Sequence, residues 1–283
     1  MAIYSKRQLR EQQEIITAVM ALTALTVFRL QQTSQILTET QTILKRIDES
    51  IKRVFEIYPS TDPVYLKKRQ EFLAKKKRTV SKSLLVFISS NSELYGDLVW
   101  NISKLFLADL KKGQNNALVI GKLGRTLIEK ENLSNRITYF DLDDDKPDLK
   151  VVQQILEILE QYDKVIVYHG RSESLLRQIP TRSEVLKEMP MVIKPAKKYF
   201  FEPTAQEVLD FLQTQASINS FHQKVYEAQL ARLAARRWIW TKQQLARGRL
   251  LETLTLEFLK YKKGITQKQQ QVTLSAHRLG QSI

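Results

Sequence analysis

The sequence has no cysteine among its 283 residues and few residues that interrupt helices. The absence of cysteine excludes disulfide bonds, thiolate catalysis and cysteine-ligated metals. Only 8 glycines and 7 prolines are present, which is sparse for a loop-rich or all-β protein. Long uninterrupted helices are therefore favoured.

The common nucleotide and metal motifs are also missing. His169, His222 and His277 are far apart, and no two of them have the spacing of metal ligands. No Gly-x-x-x-x-Gly-Lys-Ser/Thr motif occurs. Residues 120–124 (IGKLG) follow a predicted strand, but their glycine spacing fits neither a phosphate loop nor a dinucleotide site. We interpret them as a strand-to-helix turn.

Two polar groups favour a structural interpretation over a chemical one. The four aspartates within residues 141–145 lack the spacing and glycine of a calcium loop, so they predict a solvated loop. His169 and Gly170 end the predicted fourth strand, where α/β enzymes place site residues. No Gly-x-Ser-x-Gly elbow follows them. The sequence thus predicts no catalytic residue, cofactor site or metal site.

The charge balance is strongly basic. Lys and Arg number 45 against 30 Asp and Glu, a formal net charge of +15. This balance suits nucleic acid, anionic lipid or an acidic protein as a partner, and charge alone does not choose among them.

The N-terminal apolar run, Ile15–Phe28, is shorter than the ~20 residues that a bilayer requires. Arg29 closes the run, and no signal-peptide cleavage site is convincing. We interpret the run as a buried helix of a soluble protein.

Residues 2–58 contain no glycine or proline and have a repeat of seven. One stripe consists of Leu9, Ile16, Thr23, Leu30, Leu37, Leu44, Ile51 and Tyr58. The other consists of Val19, Thr26, Thr33, Thr40, Ile47 and Val54. The two stripes, together called the α1 seam, predict a coiled-coil helix. At ~1.5 Å per residue it is about 80 Å long, and Pro59 ends it. Its threonines predict looser packing in the middle, or contact with something else.

The middle of the chain changes character. Residues 59–82 are polar and basic and predict a linker; a nucleic-acid patch is the alternative, but the aromatic residues that stack on bases are not interleaved. In residues 83–203, four short apolar runs begin near Ser83, Ala117, Arg136 and Lys164 and alternate with helical segments. This alternation predicts an α/β domain with a mostly parallel sheet.

Residues 204–283 predict a second long helix, with Thr204 as N-cap and Glu207 three residues later. Gly248 and Gly264 weaken a helix by ~1 kcal/mol each, so they predict bending or fraying. The repeat of seven returns at Leu251, Phe258, Ile265, Val272 and Leu279. The basic, aromatic stretch Arg232–Trp240 predicts packing against the sheet domain or a partner protein, with nucleic-acid binding as the alternative.

The predicted fold class is α/β, with two long terminal helices that form an antiparallel coiled coil and an inserted α/β domain. A two-helix rod of this kind suggests a lever, a spacer or an axle.

Local motifs resemble those of the gamma subunit of F-type ATP synthases, and the helix–α/β–helix plan matches over essentially the whole chain. Residues 89–98 (SSNSELYGDL) are similar to the family's S-(T/S)-D-R-G-L-C-G-G-L, 119–122 (VIGK) to I-G-x-K/R-G, 178–181 (QIPT) to Q-x-P-T, and 265–267 (ITQ) to the start of I-T-x-E-(L/I). The most specific match is Tyr199–Leu209, which resembles Y-x-x-E-P-x-x-x-x-x-L.

Several positions depart from the family pattern. The segment Glu14–Leu22 keeps the Ile-Thr-x-x-Met skeleton but lacks the family's lysines. Tyr261 and Lys262 stand where the family has Arg-Gln, and Gly96 and Asp97 stand where it has a double glycine. The chain is identified as a divergent member.

The resemblance implies a non-catalytic rotor shaft without a cofactor. Its helices would turn inside the head of alpha and beta catalytic subunits, and its α/β domain would join the epsilon subunit and the ring of c subunits. The resemblance further implies that rotation couples ion flow to ATP synthesis or hydrolysis at the cytoplasmic face of the bacterial inner membrane. Contact with the membrane would be only through the complex, without direct nucleic-acid binding.

The resemblance and the helix pattern together give a set of expected contacts between rotor and stator. They are Ile16, Met20, Leu22, Leu25, Tyr261, Lys262, Thr266 and Gln267. Two alternatives remain open at this point: the gamma-like shaft of a specialised F-type ATPase that only hydrolyses ATP, and a basic coiled-coil protein that binds nucleic acid or acts as a scaffold.

Overall fold

The computed structural model describes residues 2–57, 83–113, 115–131, 137–144, 147–162, 164–185, 202 and 205–280. The predicted basic linker, residues 59–82, lies outside them. The chain divides into two compact units. The helix unit consists of residues 1–28 and 237–283, and the sheet unit consists of residues 29–236.

Within the described residues, the elements follow the predicted order, with the last strand as the one addition. In chain order they are α1 (Ala2–Ile57), β1 (Ser83–Ile88), α2 (Leu98–Leu110), β2 (Asn116–Ile120), α3 (Lys122–Glu129), β3 (Ile137–Phe140), α4 (Leu149–Leu159), β4 (Lys164–Ser172), β5 (Gln178–Val185) and α5 (Ala205–Gly280).

The α1 seam is confirmed, because each of its positions up to Val54 is buried or half-buried. The expectation of loose packing at the threonines is wrong, since Thr26, Thr33 and Thr40 are all buried. The Thr26 hydroxyl donates to the Leu22 carbonyl at 2.7 Å, and the Thr40 hydroxyl makes the same bond within its own turn. A threonine whose hydroxyl bonds to the preceding turn presents its methyl group to the seam.

The apolar run Ile15–Phe28 is not the buried helix that the sequence predicts. Val19 is buried in the seam, but Met20, Leu25 and Phe28 are exposed on the outside of α1. Among the described residues, α1 alone is long and apolar enough to cross a membrane by length and composition. A coiled-coil helix with apolar residues on two faces meets the same criterion.

The sheet has the strand order β3-β2-β1-β4-β5. Strands β1 to β4 pair in parallel, and β5 runs antiparallel to β4 with Pro180 opposite Gly170. The sequence did not predict β5, because it is polar and contains a proline. A proline is tolerated there because β5 is an edge strand.

Both faces of the sheet are covered. On one face Leu85 and Phe87 pack with α2 and α3. On the other face Leu84 and Val86 pack with α4 and with Phe221 of α5. Strands buried on both faces are continuous apolar runs in sequence, which is why these strands are predictable.

Helix α5 is continuous through Gly248 and Gly264, so the glycines do not fray it. Its predicted repeat holds only in part: Leu251 and Phe258 are half-buried, whereas Ile265 and Val272 are exposed. Leu279 lies outside the residues whose side chains are described.

The length of α1 explains where the α5 repeat stops. The two helices run antiparallel, since Leu30 packs on Leu233 and Ile51 on Leu209. Arg247 donates to Gln12, and α1 begins only about three turns before Gln12. Among the described residues, α1 therefore offers no surface opposite the part of α5 beyond about residue 257.

Candidate functional site

The outer surface of the helix unit contains most of the expected rotor contacts. Met20, Leu22 and Leu25 lie on α1 with 53%, 41% and 46% of their surface exposed. Ile16 is half-buried and belongs to the seam. The exposed apolar residues of α1 in this unit, together called the α1 outer face, are Ile15, Met20, Leu22, Leu25 and Phe28.

The remaining expected contacts lie on α5. Tyr261, Lys262, Thr266 and Gln267 are all exposed. Tyr261 lies roughly 20 Å along α5 beyond Arg247, at ~1.5 Å per residue. Because Arg247 contacts Gln12, the structure places this group and the α1 outer face at different levels of the helix unit and does not bring them together.

In the sheet unit, the turn between β2 and α3 is filled by the protein's own backbone. Gly121 has a φ of 102°, and a Cβ there would lie 2.8 Å from the Ser90 carbonyl oxygen. The Leu123 N–H donates to the same oxygen at 2.9 Å. The predicted strand-to-helix turn is confirmed. The backbone N–H of Leu123, which a phosphate loop would offer to a ligand, is already bonded to Ser90.

The predicted solvated acidic loop is only partly correct. Asp141 and Asp143 are exposed, but the Asp144 side chain is only 10% exposed. Its two oxygens accept the Asn91 N–H at 3.1 and 3.0 Å, and one also accepts the Tyr95 hydroxyl at 3.0 Å. Asp144 is buried because the carboxyl ends of β1 and β3 point to the same edge of the sheet. Asp145 lies outside the described residues.

Two arginines of α5 complete this cluster, as the predicted packing against the sheet domain requires. The Arg232 guanidinium donates to the Ser89 carbonyl at 2.6 Å, and its Nε lies 3.7 Å from Asp144. Arg236 donates to the Tyr95 hydroxyl and lies 4.8 Å from the centre of that ring. Burial raises the pKa of the Tyr95 hydroxyl, so the phenol stays protonated and donates to Asp144.

We call Ser89, Tyr95, Asp144, Arg232 and Arg236 the helix–sheet joint. It lies at the carboxyl edge of the parallel strands, the edge where open α/β sheets bind ligands. Here a guanidinium from the chain's own helix occupies that edge beside β1.

His169 is not a strand-end residue, because β4 continues to Ser172. Its ring is fully buried, with Nε2 3.0 Å from the Ser183 hydroxyl and 3.7 Å from the Glu227 carboxylate. Burial lowers the pKa of His169, so the ring is neutral near pH 7. This arrangement is that of a satisfied core histidine. Among the described residues, no group of three acidic, histidine or cysteine side chains could hold a metal ion.

The family model described as "ATP synthase" matches residues 5–271. Two relatives, each an "ATP synthase gamma chain", come from Mesoplasma florum and Mycoplasma capricolum. The first is 23% identical over 82% of both chains. The second is 22% identical over 83% of this chain and 87% of its own. The chain belongs to the ATP synthase gamma family.

Solved structures agree with this membership at the level of the fold. One is the rotor of the Euglena gracilis mitochondrial ATP synthase, with a TM-score of 0.57, 14% identity and coverage of 94% of this chain and 98% of that one. Another is from the OSCP/F1/c-ring assembly of the same synthase, with a TM-score of 0.56, 16% identity and coverage of 100% and 96%.

Sequence reasoning missed Asp144 and Tyr95 as functional candidates in this gamma-family chain. Tyr95 lies in the segment 89–98 that resembles the family motif, and Asp144 follows the third strand. Parallel strands bring such segments to one edge, and that rule could have indicated their meeting.

Proposed function

We propose that this chain is the rotating central shaft of an F-type ATP synthase and has no catalytic site of its own. The observation that carries the proposal is the α1 outer face. Apolar side chains gain about 25 cal/mol for each Å² removed from water, and patches of this kind mark protein interfaces. The sleeve formed by alpha and beta catalytic subunits would cover this face.

A shaft acts on three catalytic sites through contact free energy. The α1 outer face and the Tyr261–Gln267 group lie on different helices and at different levels, so the surface is asymmetric about its axis. A catalytic subunit facing one side would meet different contacts from its neighbours, and rotation would favour each subunit's conformations in turn. In this proposal, Met20, Leu22, Leu25, Tyr261, Lys262, Thr266 and Gln267 contact the head, and Ile16 supports them from the seam.

The basic balance supports an acidic protein partner. With a net charge of +15, the shaft would be attracted to acidic loops of the head, and such complementarity mainly speeds association and fixes orientation. Arg232 and Arg236 of the basic stretch are engaged in the helix–sheet joint, which argues against their use as a nucleic-acid patch.

The sheet unit would connect the shaft to an epsilon-type subunit and a ring of c subunits, so that ion flow is coupled to ATP synthesis or hydrolysis. The chain would then lie at the cytoplasmic face of the bacterial inner membrane and touch the membrane only through the complex.

Affinity isolation of the tagged chain from native membranes tests this proposal. We expect alpha-type and beta-type subunits to co-purify in an active ATPase, and a bead fixed to the chain to rotate when ATP is added. Isolation without those subunits, or an assembled ATPase in which the chain does not turn, would overturn it.

A second candidate is the shaft of a specialised ATPase that only hydrolyses ATP. The lysine-poor segment Glu14–Leu22 and the replacement of the family's Arg-Gln pair by Tyr261 and Lys262 favour it. Reconstitution in sealed vesicles separates the two. ATP-driven ion uptake supports the synthase, and rotation with ATPase activity but without uptake supports the dedicated ATPase.

A further inference from the structure

We propose that Arg232 and Asp144 fix the rotational setting of α5 on the sheet and carry torque between the helix and the sheet. The inference rests on the proposed shaft function and goes beyond it by assigning two positioning residues. Neither residue belongs to the expected contacts with the head.

Phe221 and Val225 of α5 pack against the sheet earlier on the helix, but the apolar contacts next to Arg232 do little to hold that setting. Next to Arg232, α5 presents Ala228, Ala231 and Ala235, all of them buried. A Cβ on Gly170 would lie 3.1 Å from the Ala231 methyl, so the helix passes close to β4. Helices resist turning and sliding when large side chains interlock as ridges and grooves, and alanines provide little of this. Apolar contact is also non-directional.

The polar contacts are directional. Arg232 donates to Ser89 at 2.6 Å, and such bonds weaken steeply as the angle at the hydrogen falls. Moving one residue along α5 turns the helical position by about 100°. A turn of that size would take the guanidinium away from both Ser89 and Asp144. Because only 8% of the Arg232 side chain is exposed, water could not readily replace these partners, and a buried charge without its partner is strongly disfavoured.

The joint is anchored in the middle of the sheet. Ser89 directly follows β1, and β1 pairs with β2 on one side and β4 on the other. Asp144 is fastened to the same loop through the Asn91 amide and the Tyr95 hydroxyl. Torque applied to α5 through Arg232 and Ser89 would thus pass into the central strand.

A single-molecule rotation assay on the complete complex tests the inference. The head is fixed to glass, and a bead is attached through Lys130→Cys in the sheet unit, which gives one label on this chain because the sequence has no cysteine. Lys130 is exposed. The readouts are the angular spread of the bead during pauses and the load at which rotation stalls.

Arg232→Met keeps an unbranched side chain but removes the charge and the hydrogen-bond donors. We expect it to widen the angular spread of the bead by about twofold or more and to lower the stall load by a similar factor. Effects of this size are within the range that single network residues contribute to coupling. Asp144→Asn keeps one acceptor oxygen, which the Asn91 N–H and the Tyr95 hydroxyl can share, but removes the charge, and we expect the same direction of change. Arg232→Lys retains the charge but not the two-pronged guanidinium and should fall between Arg232→Met and the unmodified chain. Arg177→Met, at an arginine side chain 75% exposed on the β4–β5 hairpin, is the matched control.

The outcomes separate the joint from the shaft function. A role in folding alone would reduce the number of assembled complexes but leave the angular spread of those that turn unchanged. Rotation with an unaltered spread and stall load in both Arg232→Met and Asp144→Asn would overturn the joint and leave the shaft standing. Failure of the unmodified chain to rotate in an active complex would instead overturn the shaft.

Discussion

Replacing Gly121 by alanine should destabilise the sheet unit strongly, although the change adds a single methyl group. The φ of 102° is one that residues with a side chain rarely adopt, and such backbone conformations cost of order 1–3 kcal/mol. The new Cβ would also lie 2.8 Å from the Ser90 oxygen and 2.9 Å from the Ser90 nitrogen, both backbone atoms. Overpacking of this kind costs about 1–3 kcal/mol. We expect a combined loss of about 4 kcal/mol, a large part of the ~5–15 kcal/mol that stabilises a typical domain.

Hydrogen exchange of the β1 and β2 amides measures this loss directly, since protection of central strands reports the free energy of opening. A loss of about 4 kcal/mol corresponds to a roughly thousandfold faster exchange. Gly248→Ala is the matched control, because apart from the adjoining backbone of its own helix nothing lies within 4 Å of where a Cβ would be added. It sits inside α5, where alanine should stabilise the helix by about 0.5–1 kcal/mol. Equal exchange in Gly121→Ala and the unmodified chain would refute the argument, as would a destabilising Gly248→Ala.

Leu25→Glu should lower the ATPase rate of the assembled complex about tenfold or more, since desolvating a carboxylate against an apolar sleeve costs several kcal/mol. The control is Leu176→Glu, because Leu176 is an exposed leucine of the sheet unit. An effect of Leu25→Glu no larger than that of the control would contradict the prediction. Ile51→Ala, at a residue 5% exposed, should lower the free energy of unfolding in urea by about 2–5 kcal/mol. Ile43→Ala, at a residue 45% exposed, should lower it by less than about 1 kcal/mol. Similar losses in the two variants would mean that the seam is wrongly assigned. Burial lowers the pKa of His169 despite the Glu227 carboxylate, and Lys224 and Arg171 act in the same direction as burial. The stabilising contribution of the neutral ring is therefore complete above pH 6.5 and is lost as the pH falls from 6.5 towards the lowered pKa, by at most about 1.4 kcal/mol per pH unit. His169→Gln should flatten that part of the curve of unfolding free energy against pH, and an unchanged curve would contradict the burial argument.

The long helices and the four parallel strands are predictable because each follows a simple periodic pattern. The α1 seam repeats every seven residues, and the strands are apolar runs. Strand β5 is not predictable this way, because an edge strand buries little and Pro180 interrupts the pattern. The burial of the run Ile15–Phe28 is misjudged because an apolar run alone does not say which of its residues pack in the seam and which stay exposed.

The helix–sheet joint lies beyond pattern reasoning for a different reason. Asp144 and Arg232 are distant in sequence, and each has an ordinary role if considered alone, in a solvated loop and on a helix surface. Only the parallel topology, which brings the segments after β1 and β3 to one edge, together with the path of α5 past that edge, makes them partners.

The position at which α1 begins affects how the last part of α5 folds. Beyond about residue 257, α5 continues as a single helix with Ile265, Val272 and Leu274 exposed. Most helix stability in proteins comes from packing of an apolar face rather than from intrinsic propensity, so in the free chain this tip should unwind and rewind rapidly. A surrounding sleeve would select the wound form, and insertion would then be a folding step as well as a docking step. Helical order in this segment of α5 would then indicate that the shaft has been inserted and assembly is complete.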